Sequence, residues 1–418
     1  MKKNIFISCL LATLIFMAGG CSKGKQEIIV LWTDNVEFAS YAEIFISSQD
    51  SVKVAVVYKE DALSELPVAK GKTGPDLIAS SYITSGISKH YFASLNGLFS
   101  DRFARESFYP SLLEAGKKGK TQYLIPVNFN IGALVYDVNN SELTDSSDTI
   151  TYEQIKEISK KFNMLSKDNL YTKMAFAPQW NPDFLYKVLA EEEIKFNFQK
   201  GTIKYNIPLT ENCCQFLIDW TNSINTSCND EKDFSFKYLY TPYNKQILQQ
   251  KSLFAYTTSD RLLSLSEEQL DKIDFCWLSK NGQSVAEENN MMMGIYKKSK
   301  AKKACQTFIT WFMTEEAQSK MLKRKIDMNL DTNTFGIASG FSSLISVNEH
   351  IFPVFYKCLL AKVPSNSSIK APAAYPRQWE TIKRDVLIPY LKSALEGKTD
   401  SQTLSKMYTD WENQNKED

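Results

Sequence analysis

The stretch LIPVNFNIGALVYD, from Leu124 to Asp137, decides how the chain is organised. Its apolar residues are typical of a buried strand, but Pro126, Asn128 and Asn130 interrupt the run before a second apolar segment, IGALVYD. An asparagine amide carries both donors and an acceptor, so it can satisfy backbone groups or a ligand. The stretch predicts a strand that begins in one lobe, exposes a polar middle at the junction and finishes in the next lobe.

Three other segments combine strand and helix signals in the same order. EIIVLWTDNVEFASYAEIF starts with an apolar strand at Ile28–Trp32 and continues with Phe38, Tyr41 and Phe45 at helical spacing. GPDLIASSY and SLFAYTTSDRLLSL repeat the pattern. This alternation predicts an α/β fold with mainly parallel sheets flanked by helices. In such sheets, ligands bind outside the carboxyl ends of the strands.

Composition and motifs limit the function. The chain has 418 residues, enough for two or three domains, and its formal net charge of +1 gives no basic surplus for a nucleic-acid partner. The sequence contains no dinucleotide-binding, serine-hydrolase or zinc-protease motif, and His90 and His350 are the only histidines. We therefore expect no enzyme activity, no cofactor, no metal and no nucleic-acid partner.

The first residues predict export. Lys2 and Lys3 precede an apolar run, and the small residues Ala18, Gly19 and Gly20 precede Cys21. This pattern is a secretory signal peptide, and the cysteine after the small residues resembles a bacterial lipoprotein signal. The resemblance implies cleavage after residue 20, lipid on Cys21 and a tether over 21–27, which would anchor the chain to an envelope membrane in the periplasm or at the outer cell surface.

Six cysteines follow Cys21. An oxidising compartment favours a disulfide from Cys213 or Cys214 to Cys228, while buried thiols that act as small hydrophobic side chains are an equally open alternative. The other three are Cys276, Cys305 and Cys358.

Two capping boxes mark predicted helix starts. Thr151 and Gln154 precede one apolar helical pattern, and Thr399 and Gln402 precede another after the stop signal at Gly397. Both are structural predictions without functional content.

Five segments in order resemble the sugar-binding, maltose-binding-protein-like group of bacterial extracellular solute-binding proteins, which serve ABC importers. They are GPDLIAS, YLIPVNFNIGALVYD, SLFAYTTSD, NNMMMGIYKKSKAKKACQTFITWFMTEEAQSKML and RQWETIKRDVLIPYLKSALEGKTDSQTLSKMYTDWE. The resemblance covers nearly the whole mature chain. AYTTSD lacks the glycine and proline often found at that turn, and MMMG replaces a glycine-rich stretch.

The resemblance implies a two-lobed periplasmic-binding-protein fold of the type II-like kind. Lobe 1 would contain 28–128 and 295–345, and lobe 2 would contain 129–294 and 346–418. A carbohydrate would be held between the lobes of a monomer and delivered to the permease subunits of an ABC transporter. LIPVNFNIGALVYD would then be both hinge and cleft floor.

Candidate ligand-binding residues lie at predicted strand ends and in two aromatic segments, because sugars need aromatic faces beside carboxylates, amides and guanidinium groups. The strand-end candidates are Trp32, Asp34, Asn35, Ser80, Ser81, Tyr82, Asn128, Asn130, Ser259 and Asp260. APQWNPDF adds Trp180 in a proline-bounded loop, and the resemblance places Trp379, with Tyr375 and Arg377, where the family stacks an aromatic ring on sugar. Burial in a core is the alternative for the aromatic residues, and helix capping is the alternative for Asp34 and Asp260.

Two other functions compete with the receptor. A surface glycoside hydrolase would need two essential carboxylates, which 48 acidic residues could supply. A two-lobed surface lipoprotein could instead bind a macromolecule or a non-sugar solute.

Overall fold

A computed structural model describes most of the chain beyond the predicted signal. The described residues are 26–85, 88–144, 147–199, 201–327, 334–400 and 402–415. The predicted signal peptide, Cys21 and most of the predicted tether lie outside them. None of the helices in the described part is both long and apolar enough to cross a bilayer.

The strands and helices alternate along the chain. The strands are β1 (Glu27–Thr33), β2 (Val52–Tyr58), β3 (Leu77–Ser81), β4 (Lys117–Lys118), β5 (Thr121–Gln122), β6 (Ile125–Pro126), β7 (Asn128–Phe129), β8 (Gly132–Asp137), β9 (Thr149–Ile150), β10 (Met164–Leu165), β11 (Tyr171–Lys173), β12 (Asn197–Gln199), β13 (Thr202–Lys204), β14 (Ala255–Thr258), β15 (Ile273–Leu278), β16 (Ser284–Val285), β17 (Met291–Ile295), β18 (Phe341–Ser342) and β19 (Ile369–Lys370). The α-helices are α1 (Glu37–Ser48), α2 (Asn96–Asp101), α3 (Pro110–Ala115), α4 (Tyr152–Phe162), α5 (Pro182–Glu191), α6 (Ile207–Ile224), α7 (Cys228–Lys237), α8 (Tyr243–Leu248), α9 (Ser259–Leu263), α10 (Glu267–Leu270), α11 (Lys302–Phe312), α12 (Glu315–Asp327), α13 (Phe352–Phe355), α14 (Trp379–Ile382), α15 (Ile388–Leu395) and α16 (Thr403–Gln414).

The two main sheets are mixed. The first has the strand order β2-β1-β3-β17-β6, in which β1 pairs in parallel with β2 and β3 while β17 runs antiparallel to β3 and β6. The second has the order β14-β8-β15-β9, with only the β15 and β9 pair parallel. The predicted α/β class is confirmed, but the sheets are not mainly parallel because strands returning from the other lobe enter antiparallel.

The stretch LIPVNFNIGALVYD crosses between these sheets as predicted. β6 belongs to the first sheet and β8 to the second, and between them β7 pairs with β18. The crossing continues into β8 at Gly132, where a Cβ atom would lie 2.6 Å from the hydroxyl oxygen of Tyr256. Only glycine therefore fits at this point without displacing the tyrosine ring.

Side-chain alternation in the second sheet separates two hydrophobic cores. Ala133 and Phe275 face a core that also packs the first sheet, whereas Leu134 and Cys276 face the opposite core. That second core contains Trp379 and Trp220. How these cores divide into lobes at the sequence boundaries given above remains a prediction.

The capping predictions have opposite outcomes. The Thr151 and Gln154 box is present at the start of α4. The Thr399 and Gln402 box is wrong, since α16 begins at Thr403 and Gln402 makes no side-chain cap bond. Asp400 forms this turn instead, because its carboxylate accepts from the Gln402 amide at 3.0 Å and from the Thr403 hydroxyl at 2.7 Å.

The six described cysteines are free thiols. Cys213 and Cys214 are buried on α6, where burial raises the pKa of Cys213 to about 12 and that of Cys214 to about 11. The structure therefore favours the buried-thiol alternative over a disulfide to Cys228.

Candidate ligand-binding cleft

Polar groups from both halves of the molecule meet at the ends of β1 and β3. The guanidinium of Arg377 donates to the Asp34 carboxylate at 2.7 Å and to the Ser81 hydroxyl at 3.2 Å. The Ser81 amide also donates to Asp34 at 3.1 Å, and the Arg377 guanidinium lies over the Tyr82 ring, 5.9 Å from its centroid. Asp34 and Tyr82 follow strands of the first sheet and Ser81 is the last residue of β3, whereas Arg377 precedes α14, which packs in the second core.

Topology places these residues together. β1 and β3 are adjacent and parallel, with Leu31 opposite Leu77 and Thr33 opposite Ala79, so their carboxyl ends meet at one sheet edge. At that edge the backbone of Tyr82 takes a left-handed conformation with φ of 57°. The conformation ends β3, and the Tyr82 ring packs against the second core.

A polar cavity of about 160 Å³ lies beside this cluster. Tyr82 lines it from the first sheet, and Thr258 and Asp260 line it from the end of β14 in the second sheet. The remaining lining residues come from α5, α9, the crossing segment before β17, and α14 with the turn that follows it: Asp183, Arg261, Glu287, Glu288, Asn289, Glu380 and Lys383. The cavity is therefore bounded by both sheets and by one of the crossing segments.

Ion pairs organise much of the cavity wall. Lys383 contacts the Glu288 carboxylate at 3.1 Å, and Arg261 contacts Asp183 at 3.1 Å. Glu288 also accepts a hydrogen bond from the Tyr186 hydroxyl. Burial opposes the charge on Lys383, but the attractions to Glu288, Glu287 and Asp183 together exceed this effect and raise the pKa of the lysine.

Tyr82 and Arg377 keep their protons. Burial, followed by the negative charges of Glu380 and Glu288, raises the pKa of Tyr82 well above its ordinary value. Burial also acts against the charge on Arg377, but the carboxylates of Asp34, Glu380 and Glu60 together exceed this effect and raise the pKa of the guanidinium. The cavity consequently presents a neutral phenol and a charged guanidinium near its first-sheet side.

A larger cavity of about 440 Å³ lies on another side of Glu288. It is lined by Tyr186 and Lys195 from the second core, by Lys89 and Glu114 from the first-sheet side, and by Glu288 itself. The side chain of Glu288 thus forms part of both cavity walls.

The structure brings five predicted site residues to the cleft. They are Asp34, Ser81, Tyr82, Asp260 and Arg377. The capping alternative for the two aspartates is wrong, because the N-cap positions of α1 and α9 are Val36 and Thr258.

The other predicted site residues have structural contacts in this conformation. Trp32 is 4% exposed and Trp379 is fully buried, with Tyr375 stacked on it at 4.2 Å between ring centroids. Trp180 is half-buried and stacks on Phe234 at 5.4 Å, in a separate cluster. A ligand role for these aromatic residues remains a prediction.

The predicted polar residues outside the cavity wall hold backbone segments. Asn128 accepts from the Met291 amide at 2.7 Å, and Asn130 donates to the Ser339 carbonyl at 2.9 Å. Ser259 donates to Asn130 at 2.7 Å. Asn35 accepts from the Glu37 amide, and Ser80 is buried within β3. Asn128 and Asn130 therefore satisfy backbone groups, which is one of the two roles expected for their amides.

The sequence predictions did not include most of the charged residues that line the cavity. Asp183 lies in the segment APQWNPDF, three residues after Trp180. Glu380 and Lys383 follow Trp379 by one and four residues. Glu287 and Glu288 precede the MMMG segment. The four-residue spacing from Trp379 could have indicated Lys383, whereas nothing in the sequence distinguishes Glu288 from other acidic residues.

Comparisons with known proteins agree with this architecture. The cyclic α-maltosyl-1,6-maltose binding protein of Arthrobacter globiformis is 14% identical, with a TM-score of 0.62 over 93% of this chain and 100% of that chain. The sugar-binding protein MalE of Xanthomonas citri is 11% identical, with a TM-score of 0.67 over 93% and 96%. An ABC substrate-binding protein of Listeria monocytogenes in complex with cycloalternan is 14% identical, with a TM-score of 0.56 over 94% and 99%.

These similarities establish the two-lobed fold. No curated protein sequence matches the chain significantly. Residues 40–330 match the family described as bacterial extracellular solute-binding protein. The chain belongs to the bacterial extracellular solute-binding protein family.

Proposed function

We propose that the protein is an extracytoplasmic receptor that captures a carbohydrate in the cleft and delivers it to an ABC transporter permease. The observation that carries this proposal is the cavity lined from both sheets, beside the contact of Arg377 with Asp34 across the cleft. A ligand shifts two lobes toward a closed form only through contacts with both of them. The lining residues offer such contacts.

The chemistry of the wall supports a hydroxyl-rich solute. Carboxylates accept and lysine or arginine side chains donate, so a ring of hydroxyl groups can be satisfied in both directions. The Tyr82 ring supplies an apolar face. The Arthrobacter protein binds a cyclic maltosyl-maltose and the Listeria protein is in complex with cycloalternan, which supports a carbohydrate solute here.

The remaining parts of the proposal concern the cell envelope. Lipid on Cys21 would anchor the receptor in the periplasm or at the outer cell surface. Lobe 1 would contain residues 28–128 and 295–345, and lobe 2 would contain residues 129–294 and 346–418. The proposed receptor works as a monomer and does not convert its solute.

Thermal unfolding of the purified protein against neutral mono-, di- and oligosaccharides, polyols, amino acids and peptides tests the proposal. A ligand that binds only the folded state, present at about 100 times its Kd, stabilises it by about 2.7 kcal/mol. We expect a carbohydrate to raise Tm and to be recovered unchanged. A carbohydrate that is hydrolysed would make the protein an enzyme, and stabilisation by other solutes alone would exclude the carbohydrate class.

A further inference from the structure

The wall of the 160 Å³ cavity is unbalanced in charge. Its carboxylates are those of Asp183, Asp260, Glu287, Glu288 and Glu380, and its cations are Arg261 and Lys383. Acidic side chains therefore outnumber basic ones in the wall. The chain as a whole has a formal net charge of +1, so the imbalance is local to the cleft.

Three of these carboxylates have cations of their own. Asp183 pairs with Arg261 at 3.1 Å and Glu288 pairs with Lys383 at 3.1 Å. Glu287 pairs at 3.0 Å with the buried Lys187, which lies outside the wall. These pairs account for both cations of the wall.

Asp260 and Glu380 remain without an ion pair among the described residues. Glu380 interacts with the Tyr82 hydroxyl, which carries no charge. The Arg377 guanidinium is paired with Asp34 at 2.7 Å, and its electrostatic interaction with Glu380 is weaker than that with Asp34. Two carboxylates therefore face the cavity without an ion pair.

Thr258 provides a second, independent indication. This residue is only 7% exposed and lines the cavity. It stands at the N-cap position of α9, yet its side chain does not cap that helix, and its hydroxyl has no hydrogen-bond partner among the described residues. The hydroxyl is not one of the fully enclosed unpaired polar atoms of the described residues, so it is accessible and can hydrogen-bond to the occupant of the cavity.

We infer that the solute carries a protonated amine, which Asp260, Glu380 and the Thr258 hydroxyl receive. The inference rests on the proposed function, because it takes this cavity as the solute site. The cavity holds the volume of about five water molecules, which suits a single sugar ring in this conformation. An amino sugar with a free amine combines the charge with the hydroxyl groups.

Matched sugar pairs test the inference by isothermal titration. The probes are glucosamine with glucose, galactosamine with galactose, mannosamine with mannose, and spermidine as an amine without a sugar ring. Each amino sugar differs from its partner only by an ammonium group in place of one hydroxyl. We expect at least one amino sugar to bind about tenfold more tightly than its hexose at low salt, and the preference to shrink at high salt.

The outcomes separate this inference from the proposed function. A hexose that binds as tightly as its amino sugar overturns the amine requirement and leaves the carbohydrate receptor standing. Spermidine binding without any sugar binding supports the amine requirement and overturns the carbohydrate assignment. Absence of binding by all seven probes overturns the inference, while the saccharide panel still decides the function.

Single-residue variants test whether the preference for an amino sugar arises in this cavity. Asp260→Asn and Glu380→Gln should each reduce the amino-sugar preference, the ratio of amino-sugar affinity to hexose affinity, about tenfold. Asp271→Asn is the matched control, because Asp271 is exposed and lies outside the cavity wall. Glu380 is exposed, so its variant should fold. A full preference retained in both cavity variants would contradict the inference.

Discussion

The cleft wall is polar, whereas the Trp379 cluster, formed by Trp379, Tyr375 and Phe196, is an aromatic core. Both regions contain predicted ligand-binding residues. At the cleft, Asp34, Ser81 and Arg377 lie within hydrogen-bond distance across the junction of the two sheets. In the Trp379 cluster, the indole is fully buried between Tyr375 and Phe196. Polar residues at strand ends were therefore better indicators of the cleft than large aromatic residues.

The difference arises because the position of a residue after a strand is fixed by the fold, whereas the surroundings of an aromatic ring are not. Chain topology fixes where the carboxyl end of a strand lies, so a polar residue that follows β1 or β3 must lie near that sheet edge. An aromatic ring gains free energy from burial wherever a core is close. The residues beside it in the sequence do not indicate whether the ring packs in a core or lines a ligand site.

Truncation of Trp379 should have the largest effect on stability. Trp379→Ala removes a fully buried indole and leaves a cavity, which should lower the free energy of unfolding by about 3–5 kcal/mol. Urea unfolding followed by circular dichroism measures this loss. Trp180→Ala is the matched control, since Trp180 is half-buried and should cost clearly less. Equal losses would show that the two environments do not differ as described.

Glu231 should make the stability of the protein depend on pH. It is fully buried on α7 and its partners are the neutral amides of Asn225 at 2.7 Å and Gln179 at 2.6 Å. Burial raises its pKa to about 7 from an ordinary 4.5. The folded state binds this proton more tightly than the unfolded state, so the resulting stability is fully present below pH 4.5 and is lost as pH rises through 7.

The wild-type protein should therefore lose about 3 kcal/mol of unfolding free energy from this group between these pH values. Glu231→Gln should abolish that part of the slope in urea unfolding measured at several pH values. An unchanged slope in the variant would show that Glu231 does not carry the predicted proton.

Removal of Arg377 should open the cleft. Arg377→Ala deletes the hydrogen bonds to Asp34 and Ser81, worth about 1.5–3 kcal/mol for a charged donor, less the screening at a site that is partly exposed. Small-angle scattering should show a larger radius of gyration without ligand. Arg261→Ala is the control, because Arg261 and Asp183 lie on the same side of the cleft. Expansion of both variants alike would contradict a specific role for the contact across the cleft.

A reducing agent should have the smallest effect. Cys213 and Cys214 are buried in the same core as Trp379 and are free thiols. A disulfide would contribute about 2–4 kcal/mol, so its absence predicts that Tm is the same with and without dithiothreitol. A fall of several degrees on reduction would show that a disulfide forms.

The sequence was sufficient for the α/β class, for the crossing at LIPVNFNIGALVYD and for the strand-end positions of Asp34, Tyr82 and Asp260. It was insufficient for sheet direction, because β17 joins the first sheet only after the chain returns from the second. It also failed to indicate Glu288 and Lys383, whose 3.1 Å contact joins segments 95 residues apart. Such contacts depend on the folded arrangement and leave no local pattern.

Titration of wild-type and two variant proteins with the stabilising solute tests the central claim most directly. We predict that Tyr82→Ala, which alters the cavity wall, weakens binding at least about tenfold, equivalent to about 1.4 kcal/mol. Trp379→Phe, which alters the buried core, should leave the Kd nearly unchanged in a folded protein. Loss of binding in Trp379→Phe with full binding in Tyr82→Ala would contradict the assignment of the solute site to this cleft.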